Sequence, residues 1–228
     1  MPKHPSGINQ KIVDKVASRR GRLHAYETIN PATTALVVID LDTATMGRML
    51  QDTGIKDIVQ LINTIASTLR TAGGHIAWVT TPMTQPSDTF RVLFGEQTTR
   101  AYIQEATSGA SKTIWRELDA QPADISATKQ DYSAFFPGKS DLHDQLQARG
   151  VNTVLIVGTV TNVCCESAAR DAYELGYKVI MVSDALTGHA NGLHEASLAT
   201  IFRNFGDVRP TFDILQLLRV SKAPHGTL

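Results

Sequence analysis

The sequence predicts an α/β fold of three layers, in which a mostly parallel six-stranded sheet lies between two layers of helices in the Rossmann-like manner. Two observations carry this. Short all-apolar runs, at residues 35–39, 154–157 and 179–182, are the pattern of strands buried on both faces. Between such runs lie segments with apolar residues at helical spacing, the longest being Ile55, Ile58, Val59, Ile62, Ile65, Ala66 and Leu69. Strands that alternate with helices need crossover connections, and these build a parallel sheet covered on both sides.

Residues 1–30 read as an N-terminal arm and residues 31–228 as the domain. The arm is basic, with Lys11, Lys15, Arg19, Arg20 and Arg22. Its Ile8, Ile12, Val13 and Val16 predict a short helix face packed on the domain or on a neighbouring subunit. The first strand ends at Asp40. Residues 41–53 are polar and read as irregular. The long helix that follows is stopped by Gly73 and Gly74, and residues 75–81 form the second strand before Pro82. Residues 84–123 predict one or two short helices and a loop beside the site, with Phe94 and Trp115 as candidate walls for a substrate. Residues 124–129 are short and half polar, as an edge strand is, and end at Lys129. A short helix over 141–149 follows, with Leu142 and Leu146 inward. The fourth strand leads into a helix over 163–175, and the fifth ends at Ser183 and Asp184. A helix over 193–205, a last strand or turn over 207–213 and an apolar C-terminal element complete the chain.

Length and composition narrow the function. A chain of 228 residues suits one domain with a full core. Lys and Arg number 22 and so do Asp and Glu, so no global field draws nucleic acid or an anionic membrane. No run approaches the roughly 18 apolar residues of a membrane span, and residues 1–30 lack the apolar centre of a signal peptide. The two cysteines are adjacent, a poor geometry for a disulfide. The expectation is a cytoplasmic protein acting on a small molecule. Gly158 reads as a turn glycine, and no phosphate-loop or dinucleotide fingerprint is present.

The stretch 154–167 (VLIVGTVTNVCCES) concentrates the chemistry. A buried strand breaks at glycine and passes a polar corner into a helix with Cys164 at its start. Unpaired N–H groups and the positive end of a helix bias a thiol towards thiolate, the nucleophilic form. The same stretch also fits a buried cysteine after an ordinary strand-to-helix turn. Asp40 and Lys129 stand at strand ends too, where open α/β sheets bind ligands. A turn-capping aspartate and a solvated edge lysine are the structural alternatives.

Taken together, these pieces resemble the isochorismatase-like cysteine hydrolases, which include nicotinamidases, N-carbamoylsarcosine amidohydrolases, ureidoacrylate amidohydrolases and isochorismatases. The matching residues are 35–40, Lys129 with Ser133-Ala134-Phe135, Gly158 through Cys164, Glu166 through Ala172, and Val182 through Ala185. The Thr-Asn-Val-Cys piece followed by Arg-Asp-Ala is the specific part. The resemblance implies Cys164 as nucleophile, Asp40 as general base and then acid, and Lys129 holding Asp40 charged. It also implies a cis Thr159–Val160 peptide, with the Val160 and Cys164 N–H groups as an oxyanion hole. Cys165 falls about 100° around the helix from Cys164 and reads as core. Asp42, Phe94, Trp115, Phe135 and Thr161 are candidate substrate contacts.

The sequence departs from its relatives after Asp40. Many of them continue Met-Gln-Asn with a phenylalanine; here Leu41-Asp42-Thr43-Ala44 follows. Nicotinamidases that bind a metal carry Asp and His ligands around the second strand, whereas residues 78–83 supply none. Neither a metal nor any other cofactor is therefore expected. His189 and His194 read as solvated loop residues, and Glu166 with Arg170 as a helix-surface pair. Family relatives form dimers and tetramers, so a homo-oligomer is expected. The expected activity is metal-independent cleavage of a small amide, ureido or carbamoyl C–N bond through an acyl-cysteine. The rival readings are vinyl-ether hydrolysis with Asp40 as acid, and a silent scaffold used for binding or redox sensing.

Overall fold

The computed structural model describes residues 7–49, 55–188 and 190–220. Six strands, β1 (Thr34–Ile39), β2 (His75–Thr80), β3 (Ile125–Thr128), β4 (Thr153–Thr159), β5 (Lys178–Thr187) and β6 (Asp207–Arg209), form one sheet in the order β3-β2-β1-β4-β5-β6. Every pairing is parallel. The strand order reverses between β1 and β4, which makes their carboxyl ends the switch point of the sheet, where ligands bind in such folds.

Alternation along the strands supplies both faces. Ala35, Val37 and Ile39 of β1 pack with α1 (Gln10–Arg20), α5 (Leu142–Gln147), α6 (Glu166–Glu174) and α7 (Asn191–Asn204). Leu36 and Val38 face the opposite layer of α2 (Thr43–Met49), α3 (Ile55–Thr71) and α8 (Thr211–Val220). Both strand faces are therefore apolar, and the continuous runs in the sequence have this cause. The basic arm forms α1. Val13 and Val16 are buried, while Arg19 and Arg20 each donate at 2.5 Å to the carbonyls of Arg203 and Phe202, which close the end of α7.

Three segments differ from the expectation. Residues 43–49 form a helix rather than an irregular loop, because Asp42 caps it: the Thr45 N–H donates to Asp42 Oδ1 at 2.8 Å. Residues 84–123, expected to hold one or two short helices, carry the 21-residue helical span α4 (Asp88–Ser108), capped by Ser87 and broken into two helical pieces at Gly95, where φ is 78°. That kink breaks the apolar period, which hid the helix. The helix expected from 163 begins instead with a wide turn over Thr161–Cys165 before α6.

Gly158 lies within β4, not in a turn. Its φ is +111°, and a Cβ there would stand 2.2 Å from the Ile39 carbonyl oxygen. Only glycine lets β4 lie this close to the end of β1, and this approach brings the corner after β4 beside Asp40. Gly158→Ala is expected to destabilise the protein by roughly 3–5 kcal/mol through overpacking and a forbidden φ. Urea unfolding measures this; a loss below about 1 kcal/mol would contradict the close approach.

Candidate active site

Asp40 follows β1 with φ at +55°, a left-handed conformation that aspartate tolerates better than most residues. Its N–H is held by the Val79 carbonyl at 3.0 Å. Both carboxylate oxygens have partners: Oδ2 meets Lys129 Nζ at 2.9 Å, and Oδ1 accepts from Thr81 Oγ1 at 2.5 Å. Lys129 follows the edge strand β3 and is only 1% exposed, with Nζ also donating to the Asp131 carbonyl at 3.0 Å. Burial pushes this ammonium down. The Asp40 charge and hydrogen bond, with the nearby Cys164 sulfur, more than offset burial, so its pKa lies above the ordinary lysine value.

The Thr159–Val160 peptide is cis. Cys164 lines one cavity with Asp40, Lys129 and Val160. Burial, then the Asp40 negative charge, pushes this thiol up to about 12, with only partial relief from Lys129 and the Val160 N–H. Burial and the facing carboxylate thus work against the bias towards thiolate expected from a helix start. Cys165 is fully buried in the core, as its place around the helix requires.

A cavity of about 430 Å³ opens over these groups, a size that suits a small molecule. Asp40, Lys129, Val160 and Cys164 line it. Of the expected substrate contacts, Asp42 and Phe94 line it as well, Phe94 at 46% exposure. Trp115, Phe135 and Thr161 do not. Trp115 is packed in the core layer in one cluster with Leu41 and Leu118, where its large apolar ring is shielded from water. Phe135 is buried in the other layer against Tyr177, with ring centroids 5.4 Å apart. Thr161 is fully buried and bonded at 2.9 Å to Nδ1 of His194, which is a half-buried residue of α7 and not a loop residue. His189 lies outside the described residues.

Sequence reasoning missed Thr81, Arg48, Tyr102, Glu105, Ser111 and Tyr132 on the cavity wall. Thr81 carried a readable signal, since it ends the strand beside β1. The others sit on α2, α4 and loops whose approach only the fold decides. Glu166 and Arg170 do pair, at 2.7 Å, with the guanidinium over the Phe205 ring. Among the described residues no three His, Cys, Asp or Glu side chains are grouped to hold a metal ion, and no helix is long and apolar enough to cross a membrane.

Fold and site define a parallel α/β protein that gathers a thiol, a carboxylate and an ammonium at the switch point of its sheet. Residues 34–212 match the Isochorismatase domain model. The chain belongs to the isochorismatase family, which is a family of hydrolases. It is 30% identical over 190 residues to the isochorismatase family protein YwoC of Bacillus subtilis, covering 82% of this chain and 94% of that one. It is likewise 30% identical over 222 residues to the ureidoacrylate amidohydrolase RutB of Methylobacterium radiotolerans, covering 87% and 84%. Among solved structures, a cysteine hydrolase from Pseudomonas syringae pv. phaseolicola superposes with a TM-score of 0.75 at 27% identity, covering 87% of this chain and 98% of that one.

Asp42 is the electrostatic anomaly of the cavity. Burial and the neighbouring Asp40 charge raise its carboxyl to about 6, against bonds from Thr45 and a weaker pull from Arg48 that lower it. A carboxyl raised on folding contributes stability that is whole below about pH 4 and lost as pH climbs through about 6. Asp42→Asn keeps the helix-capping oxygen and removes that loss. It is expected to be roughly 1–3 kcal/mol more stable than wild type at pH 7.5 and equal to it near pH 4. Urea unfolding at both pH values checks this; a difference independent of pH would contradict it.

Proposed function

We propose that this protein is a cysteine hydrolase that cleaves the C–N bond of a small amide, ureido or carbamoyl compound through an acyl-cysteine, without a metal. One observation carries the reading: the Asp40 carboxylate, 2.9 Å from the buried Lys129 ammonium, lines the same cavity as the Cys164 thiol and acts on it electrostatically. The amidohydrolase named among the relatives supports C–N bonds as the target.

The steps follow from which groups hold protons. Cys164 rests as a neutral thiol, so Asp40 takes its proton as the sulfur attacks the substrate carbonyl carbon. Lys129 stays paired with the Asp40 carboxylate at 2.9 Å until then. Negative charge developing on the carbonyl oxygen is met by the Val160 and Cys164 N–H groups; one such donor typically lowers the barrier by about 2.7–4 kcal/mol. Protonated Asp40 gives its proton to the leaving nitrogen, the C–N bond breaks, and an acyl-thioester remains. Water, deprotonated by Asp40, attacks the thioester. The acid leaves, and the proton returns to sulfur.

Cys164→Ala and Cys164→Ser are expected to lose at least about a thousandfold in ammonia release from small amides and ureas, in line with the loss of an essential nucleophile. Their melting temperatures should stay close to wild type, and prolonged EDTA treatment should leave the wild-type rate unchanged. Turnover that survives Cys164→Ala would instead favour ether hydrolysis with Asp40 as acid.

The raised thiol makes a separate prediction about the resting enzyme. Iodoacetamide should alkylate Cys164 at pH 7.5 more slowly in the folded protein than in urea, with a rate that keeps rising above pH 9. Mass spectrometry of the Cys164 peptide measures both rates. Faster labelling when folded would show a resting thiolate and overturn this proton assignment.

A further inference from the structure

The cavity holds more polar chemistry than the proposed reaction uses. Four carboxylates line it: Asp40, Asp42, Glu105 and Asp131. Three have cationic partners: Asp40 has Lys129 at 2.9 Å, Asp131 has Lys139 at 3.8 Å, and Glu105 is paired with Arg48. Asp42 has no ion-pair partner among the described residues, although it is 1% exposed. Arg48, the nearest candidate, is turned to Glu105, to Thr45 Oγ1 at 3.1 Å and to the Tyr102 ring. The backbone around Asp42 is held firmly: it bridges to Ile114, the Trp115 N–H bonds the Leu41 carbonyl at 2.9 Å, and the Thr43 N–H bonds the Thr113 carbonyl at 2.8 Å. Asp42 therefore stays buried on the wall without a balancing charge.

A second, independent observation lies on the same wall. Ser111 lines the cavity, is 6% exposed, and its Oγ is buried with no hydrogen-bond partner. Buried hydroxyls are ordinarily satisfied, and leaving one unmet costs free energy. A carboxylate without a counter-charge and a hydroxyl without a partner, on one cavity wall, are complementary to a ligand group that donates hydrogen bonds and carries no negative charge.

We propose that Asp42 and Ser111 form a specificity subsite that receives the non-reacting end of the substrate, and that this end is a hydrogen-bond-donating cationic or neutral group, such as an amine or amidine, and not a carboxylate. This rests on the proposed cleavage only for which end of the ligand reacts. A carboxylate brought here would face Asp42 with Arg48 already bonded to Glu105, and like charges in a confined site repel strongly. An ammonium or amidinium would pair with Asp42 and donate to Ser111. Phe90 and Phe94, which also line the cavity, cover the stem between the two ends.

Three amides of matched length test this: β-alaninamide, which carries an amine; succinamate, which carries a carboxylate; and butyramide, which carries neither. Binding is measured calorimetrically on wild type and on Cys164→Ala, and ammonia release is measured separately on wild type. β-Alaninamide is expected to bind at least about tenfold more tightly than succinamate, and Asp42→Asn should collapse most of that ratio. Ser111→Ala should weaken β-alaninamide but not butyramide, without lowering the melting temperature. Succinamate binding as well as β-alaninamide, a ratio unchanged in Asp42→Asn, or no binding of β-alaninamide at millimolar concentration would overturn the subsite. Charge-selective binding without ammonia release would leave the subsite standing and count against C–N cleavage. Release at equal kcat/KM from both charged amides would do the reverse.

Discussion

The ion pair between Lys129 and Asp40 is the constraint around which the site is built. An ammonium at 1% exposure is several kcal/mol too costly to keep charged alone. It is held by a carboxylate at 2.9 Å and a backbone carbonyl at 3.0 Å. The carboxylate in turn draws on neighbouring strands: Asp40 ends β1, Thr81 follows β2 and donates to it, and Lys129 follows β3. The pair therefore ties together the ends of three adjacent strands, from the middle of the sheet to its edge. Removing either partner would leave a buried charge uncompensated, so the arrangement tolerates no half measure.

Burial first, and then the same carboxylate, push the thiol above its ordinary range. A cysteine beside an anion and away from water holds its proton, and the nearby ammonium does not reverse this because it is already engaged with Asp40. In the proposed reaction the thiol's proton acceptor is the carboxylate that Lys129 pairs with at 2.9 Å. In that reaction, proton removal belongs to the step in which sulfur attacks. The geometry depends on Gly158, whose missing side chain allows β4 to lie against the end of β1.

Asp42 stands apart from this economy of charge. The other carboxylates of the cavity have cations, and it has the Thr45 N–H at 2.8 Å and an anionic neighbour. Folding gains nothing from such a group beyond the capping of α2, which an uncharged oxygen would serve as well. Buried, unbalanced charges concentrate where ligands bind. The segment after Asp40 is also where the sequence departs from the family pattern, so the anomaly and the departure coincide on one residue.

The parallel sheet, its two covered faces and the positions of Asp40, Lys129 and Cys164 at strand ends were legible in the sequence because each has a local signature. Buried strands are continuous apolar runs, helices carry the 3.6-residue period, and Asp40, Lys129 and Cys164 each follow a strand. What failed had no such signature. The period of α4 is broken by its kink at Gly95, and aromatic residues such as Trp115 and Phe135 look alike in sequence whether they face a cavity or a core. The amino-acid sequence by itself determined which groups arrive at the carboxyl edge of the sheet. Only the tertiary structure decided their protonation and the composition of the cavity wall. Both depend on distances between side chains far apart in the chain, on how much water is excluded around them, and on which cations are already engaged elsewhere.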